Sequence, residues 1–208
     1  HECSSAASDV YKRQEEEVLR ILNSASEVGK NKLEKTRNKA LIEILYASGM
    51  RVSELVSLRK SLFIGTPEII LIKGKGNKER MVPISRLAIS AIKKYLAELK
   101  KTNIAFYESD FLFPSRSKNG YLNRERFFLI IKKIAKFAGL NSRYVSPHKI
   151  RHAFASHLLS NGADLRVIQT LLGHKNLSTT EIYTHIVDEK MIKSVQENHP
   201  FAKKDCEN

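Results

Sequence analysis

Apolar residues recur every three to four positions along most of the chain, which is the spacing of amphipathic helices. Ser146 and Asp164 suit N-terminal helix caps. Glycine follows three of the periodic segments, at Gly49, Gly139 and Gly173, where it would end each helix. We predict helices over residues 15–22, 33–48, 85–101, 123–138, 164–172 and 188–197, and two more that begin near residues 53 and 147.

Between residues 62 and 84 the apolar period shortens to that of strands. Short runs rich in β-branched and aromatic residues occur at 62–64, 69–72 and 80–82. A glycine-containing turn at 74–77 joins the last two runs as a tight hairpin. We therefore predict a mainly α (α+β) fold, in which a helical bundle packs beside a small three-stranded antiparallel sheet.

The composition favours a polyanionic partner. The chain has 208 residues, enough for one well-packed domain, and its 36 Lys and Arg against 22 Asp and Glu give a net charge of +14. Nucleic acid is favoured over an anionic membrane, because no basic amphipathic helix of the membrane-surface kind is evident. No apolar run approaches the ~20 residues of a membrane span. Cys3 and Cys206 indicate no disulfide framework, and without a signal peptide pattern we expect a cytoplasmic protein.

Candidate chemistry lies on the polar face of the helix that begins at Pro147. His148 and Arg151 are three residues apart there and should be neighbours. A guanidinium binds two phosphate oxygens with a planar fork, and an imidazole can transfer a proton near neutral pH. The opposite face should pack into the core through an apolar stripe, Ile150, Ala153, Phe154 and Leu158.

Two further polar residues follow this helix. His174 comes directly after Gly173, where a side chain can point into a cleft. Tyr183 lies nine residues later. A tyrosine hydroxyl can be a covalent nucleophile if a base and cationic groups offset its pKa of about 10.

A zinc site is an alternative use of the same helix. His148 and His152 have the spacing of the zinc-binding histidines in His-Glu-x-x-His proteases. Residue 149 is Lys where those enzymes have Glu, and Arg151 would repel a dication. The sequence therefore favours a phosphate site over a metal site.

Each of these features is weak alone, but their order and spacing are specific. His-x-x-Arg at 148–151, Gly-His at 173–174 and then Tyr183 resemble the signature of the tyrosine recombinase (integrase) family. The sequence of residues 146–159 and 162–174 resembles the Xer recombinases, and it is closest to the XerD group. The resemblance covers nearly everything from about residue 33 to residue 202.

The resemblance implies a role for each matching residue. Tyr183 attacks the scissile phosphorus, His148 accepts its proton, and Lys75 protonates the departing 5′ oxygen. Arg51, Arg151 and His174 stabilise the transition-state charge, and Glu54 supports the site through hydrogen bonds. The product is a 3′-phosphotyrosyl intermediate, and neither a metal nor another cofactor is needed.

The basic hairpin loop is expected to enter a DNA groove. Its candidate DNA-binding residues are Lys73, Lys78 and Arg80. It is not a nucleotide-binding P-loop, because no Gly-Lys-Ser/Thr follows a strand at the required spacing.

The domain organisation is predicted as follows. Residues 4–14 resemble the translation of a sequencing adapter, so 1–14 are interpreted as a non-native tail. The catalytic domain should span 15–202, with a disordered tail at 203–208. Xer proteins also carry an N-terminal core-binding domain, which we do not identify in this sequence.

The implied biology is chromosome dimer resolution, in a heterotetramer with a XerC-like recombinase and with the FtsK DNA translocase as a further partner. Three alternatives remain open. These are a phage or mobile-element integrase of the same family, a DNA-binding module without chemistry, and a type IB topoisomerase.

Overall fold

The computed structural model describes residues 15–74 and 79–172, and all structural statements below refer to these residues. The helices are α1 (15–24), α2 (Lys32–Ser48), α3 (Val52–Val56), α4 (Arg86–Thr102), α5 (Ile104–Glu108), α6 (Arg124–Phe137), α7 (Pro147–Ser160) and α8 (Leu165–Leu172), with a 3₁₀ helix at Lys60–Phe63. The strands are β1 (Ile69–Lys73) and β2 (Glu79–Pro83).

Helix α2 lies at the centre of the bundle. The side chain of Asn31 caps its first turn by accepting a hydrogen bond from the backbone N–H of Glu34 at 2.9 Å. From Ala40 to Ser48 every residue is buried, because α2 packs against α4 on one side and α7 on another. This central position brings the C-terminal end of α2 next to α3 and α7, where the candidate site is found.

Gly49 ends α2 in the left-handed conformation, with φ of +57°. A Cβ at this position would lie 2.4 Å from Cδ1 of Phe154, a core residue of α7. Glycine is therefore required both by the backbone and by the close approach of the ring.

We expect Gly49→Ala to lower the free energy of unfolding by about 2–4 kcal/mol. About 1 kcal/mol comes from the left-handed backbone, and about 1–3 kcal/mol comes from overpacking against Phe154. Gly65 is a matched control, because its φ is +75° and a Cβ added there would have no neighbour within 4 Å. Gly65→Ala should cost only the backbone contribution, so equal losses in urea unfolding would contradict the packing argument.

Within the described ranges the sheet has two strands, and the prediction of a third strand at 62–64 is wrong. β1 and β2 pair antiparallel, with Ile70 opposite Val82 and Ile72 opposite Arg80. Residues 60–63 instead form the 3₁₀ helix, and Ile64 is 78% exposed. Two backbone hydrogen bonds join the preceding residues to a distant segment: Lys60 N–H donates to the Asp110 carbonyl, and Leu112 N–H donates to the Leu58 carbonyl.

Helices α6 and α7 lie where the sequence predicted them, and α7 begins after its predicted cap, Ser146. The side chains of Asn123 and Ser146 accept hydrogen bonds from the backbone N–H groups three residues later. All four residues of the predicted α7 stripe are buried. In α8, Ile168, Leu171 and Leu172 are buried, whereas Leu165 is 54% exposed and lies off the core.

A buried polar pair links α2 to α7. The hydroxyl of Tyr46 and Nδ1 of His157 are 2.7 Å apart, and Nε2 of His157 has no hydrogen-bond partner among the described residues. Burial lowers the pKa of His157, an effect that the charge of Glu15 partly opposes.

This burial predicts a pH dependence of stability. Below about pH 6.5 the unfolded chain binds a proton at His157 more readily than the folded chain does, so stability should fall as the pH decreases from there towards the folded-state pKa. Each unit by which the pKa is lowered contributes about 1.4 kcal/mol. We expect His157→Gln to flatten the plot of unfolding free energy against pH between 7 and 5. His152→Gln is the exposed control, and an equal change in both variants would contradict the assignment.

None of the helices described by the structure is long and apolar enough to cross a membrane.

Candidate active site

Arg51 and Glu54 form the first part of the site, at the start of α3. Arg51 is the N-cap residue of α3 and follows the left-handed turn at Gly49. Glu54 reaches back from the third helical position, and its Oε2 accepts the Arg51 backbone N–H at 2.7 Å. Its Oε1 also accepts from Nη1 of Arg51 at 3.1 Å. The Arg51 side chain is 43% exposed. Its guanidinium is bound by the buried carboxylate of Glu54, but its positive charge still faces outwards.

Arg80 supplies the second guanidinium, from strand β2. Its Nη1 and Nη2 donate to Oε1 and Oε2 of Glu54, each at 2.7 Å, in a bidentate fork. Its Nε donates to the carbonyl of Leu171 at 3.1 Å. Only 11% of the Arg80 side chain is exposed. The strand is thereby tied to both α3 and α8.

Arg151 supplies the third guanidinium, from the polar face of α7. Its Nη1 donates to the carbonyl of Gly49 and its Nη2 to the carbonyl of Leu172. Burial, together with the positive charges of Arg51 and Arg80, lowers the pKa of Arg151 to about 10. Arg151 therefore stays charged at neutral pH.

The local charge balance is positive. Among the described residues, two guanidinium groups, those of Arg51 and Arg80, bind the ionised carboxylate of Glu54, and the third, that of Arg151, lies near enough to interact with it electrostatically. Burial raises the pKa of Glu54, but the hydrogen bonds from Arg80 and from the Arg51 N–H more than offset this and hold it below its usual value. An excess of preorganised cations is what a phosphodiester needs as negative charge builds up on its nonbridging oxygens.

Two other predicted residues lie on exposed positions. His148 is exposed in the first turn of α7, on the same polar face as Arg151. Lys73, at the end of β1, is exposed, and its Nζ lies 3.7 Å from a carboxylate oxygen of Glu79 across the hairpin. Both positions leave the side chains accessible to a large partner.

Four predicted residues lie outside the described residues: Lys75, Lys78, His174 and Tyr183. Their roles stay predictions. The structure brings together Arg51, Glu54 and Arg151, with His148 on the same helix as Arg151.

The arrangement of Arg80 was not anticipated. The sequence predicted a groove contact, whereas its guanidinium is largely buried against Glu54. The signal for this was the alternation of the strand, since Arg80 shares a face with the buried Val82 and pairs with the buried Ile72. Within the described ranges, no group of three or more His, Cys, Asp or Glu side chains could hold a metal ion.

Comparison with known proteins gives a consistent family match. Residues 12–190 match the model of the phage integrase family. A relative named tyrosine recombinase XerD, from Rhizobium meliloti (strain 1021), is 48% identical over 192 residues, which cover 90% of this chain and 61% of the relative. The protein of the same name from Caulobacter vibrioides is 43% identical over 194 residues, covering 91% and 62%. The chain thus spans about three fifths of the length of these relatives.

Solved structures agree with this match. The crystal structure of XerA recombinase superposes with a TM-score of 0.65 at 32% identity, covering 89% of this chain and 64% of the other. The XerH site-specific recombinase, bound to its difH substrate in a pre-cleavage complex, gives a TM-score of 0.65 at 28% identity, covering 92% and 51%. The mainly helical fold with a small antiparallel sheet is therefore the catalytic-domain fold of these proteins.

Proposed function

Because the chain belongs to the phage integrase (tyrosine recombinase) family and resembles its Xer members, we propose that it cleaves and rejoins DNA strands as an Xer-type site-specific recombinase. The observation that carries this proposal is that the guanidinium groups of Arg51 and Arg151 lie near each other, with Glu54 bound to both Arg51 and Arg80. This arrangement offers two cationic side chains to one phosphate. The exposed lysines and the net charge of +14 suit the DNA around that phosphate.

The proposed reaction is two transesterifications. The hydroxyl oxygen of Tyr183 bonds to the scissile phosphorus while its proton passes to His148. The bond from phosphorus to the 5′ oxygen breaks, and Lys75 gives that oxygen a proton. Arg51, Arg151 and His174 stabilise the pentacovalent transition state. The covalent bond keeps the energy of the phosphodiester, so the 5′-hydroxyl of a second strand can reverse the steps and release the tyrosine.

The proposed setting is the resolution of chromosome dimers in the cytoplasm. A XerC-like recombinase would complete a heterotetramer with this protein on the DNA site, and the FtsK translocase would act with it. The similarity to relatives named XerD supports this setting. Integration of a mobile element uses the same chemistry and is the main alternative, and a solved integrase from mycobacterium phage Brujita also superposes, with a TM-score of 0.67 at 26% identity.

Covalent trapping on a nicked duplex tests the reaction class. The duplex carries an Xer-type site, and its nick lets the short 5′-hydroxyl strand diffuse away after cleavage, so the adduct accumulates. We expect a protein–DNA band that survives denaturation and carries a label placed on the 3′-phosphate side of the break. Binding of this duplex without any such band would contradict the enzyme and favour a DNA-binding module.

Plasmid relaxation separates a recombinase from a type IB topoisomerase. A recombinase of this kind should relax a supercoiled plasmid only when the plasmid carries the site, since cleavage depends on assembly there. Equal relaxation of plasmids with and without the site would favour the topoisomerase.

A further inference from the structure

Arg80 commits all three of its guanidinium nitrogens to protein groups. Two of them donate to the carboxylate oxygens of Glu54 at 2.7 Å each, and the third donates to the carbonyl of Leu171 at 3.1 Å. The side chain is 11% exposed. A lysine has one nitrogen and no planar fork, so it cannot make this set of contacts.

These contacts join three segments that carry the proposed chemistry. Arg80 itself lies five residues after Lys75 on the same hairpin. Glu54 lies on α3 and binds Arg51. Leu171 lies three residues before His174, and the next carbonyl, that of Leu172, accepts from Arg151.

We propose that Arg80 is a positioning residue for the reaction: it neutralises Glu54 and fixes Arg51, the hairpin and the end of α8 relative to one another. This inference rests on the proposed function for its catalytic consequence, and on the contacts alone for its structural part. It assigns Arg80 a role other than contact with DNA.

The distances show why Glu54 needs Arg80. Both bonds from Arg80 to the carboxylate are shorter than the 3.1 Å bond from Nη1 of Arg51. If Arg80 were removed, the carboxylate would be left with a lone ion pair to Arg51. It would then draw Arg51 towards itself and reduce the charge that Arg51 presents to a phosphate.

Four variants measured together test this role: Arg80→Met, Arg80→Lys, Glu54→Gln and the double variant Arg80→Met/Glu54→Gln. In single-turnover cleavage of the nicked duplex, Arg80→Met should be slower by about 10- to 100-fold, the range found when a group that orients a metal-binding residue is removed. Arg80→Lys should recover little of the rate. The double variant should be no slower than Arg80→Met, because both changes break the same contact. Lys94→Met, an exposed change on α4, is the control and should cleave at the wild-type rate.

Two further readouts distinguish positioning from DNA contact. The Kd of Arg80→Met for the duplex should stay within about threefold of wild type. A roughly tenfold weaker Kd with a reduced salt dependence would identify a phosphate contact and overturn the proposal. In Arg80→Met, Glu54 loses the hydrogen bonds that keep it ionised, so it should take up a proton at higher pH than in wild type. A protonated Glu54 no longer draws Arg51 away from the phosphate, so the rate deficit of Arg80→Met should shrink as the pH falls, and the double variant should show no such change. A rate deficit that is the same at every pH would also overturn the proposal.

Urea unfolding of the same variants tests whether Arg80 holds Glu54, and this test does not depend on any cleavage reaction. Arg80→Met and Glu54→Gln should be energetically coupled. The unfolding equilibrium constant of the double variant should therefore differ by at least about fivefold from the value expected if the two single effects simply multiplied. Multiplicative effects would overturn the contact. If wild type forms no covalent adduct, the proposed function fails, and the unfolding cycle alone then decides whether Arg80 holds Glu54.

Discussion

Replacing Tyr183 with phenylalanine is expected to abolish the covalent protein–DNA adduct, a loss beyond the detection range of a denaturing gel. The substitution removes one oxygen, the atom that would bond to phosphorus, and leaves the aromatic ring. Because the aromatic ring and the other proposed site residues remain, the Kd for the nicked duplex should change by less than about twofold. Both quantities can be measured on the same preparation, by denaturing and native electrophoresis.

The matched control for this substitution is Tyr144→Phe. Tyr144 is exposed and precedes α7, and it has no place in the proposed chemistry. It should form adduct at the wild-type rate. If Tyr183→Phe still formed adduct, another residue would be the nucleophile, and the assignment by spacing would be wrong.

Replacing Arg151 with alanine is expected to lower the single-turnover cleavage rate by about 10³-fold, with a smaller effect on DNA affinity. Removing one preorganised donor to a developing oxyanion costs about 10²- to 10³-fold, and Arg151 also carries a full charge. Arg151→Lys keeps the charge but cannot span the carbonyls of Gly49 and Leu172. It should therefore remain at least about 10²-fold slower than wild type.

Arg116→Ala is the control, because Arg116 is exposed in the segment between α5 and α6. Its cleavage rate should stay near that of wild type. Wild-type cleavage by Arg151→Lys would show that the charge alone suffices and that the fixed geometry of the guanidinium has no role. Urea unfolding of each variant checks that a lost rate does not reflect a lost fold.

The helices were predictable because their signals are local. Ser146 caps α7 as expected, and Asn123 caps α6 in the same way, since a cap depends only on residues within one turn. The error at 62–64 has the opposite cause. An apolar run of three residues does not specify its partner, and the chain pairs residues 58–60 with 110–112 instead, about fifty positions away.

The sequence named candidate site residues but could not give their arrangement. Arg51, Glu54 and Arg151 were proposed from the family resemblance and from spacing, and the structure brings these three together, while their roles stay predictions. Their grouping depends on how α3, α7 and the end of α2 pack, which no local pattern encodes. Arg80 shows the same limit. A basic residue in a hairpin is expected to face solvent, and only the folded structure shows that Arg80 instead binds Glu54.

The acceptors of Arg151 have a consequence for engineering. Among the residues that the structure describes, both are main-chain carbonyls, those of Gly49 and Leu172, so the course of the backbone there sets the guanidinium position. Exposed residues elsewhere on the domain can then be exchanged, for example to retarget the proposed recombinase to another sequence, without moving this donor. Gly49 itself should not tolerate substitution, because one added methyl group would disturb both the Phe154 packing and the carbonyl that Arg151 binds.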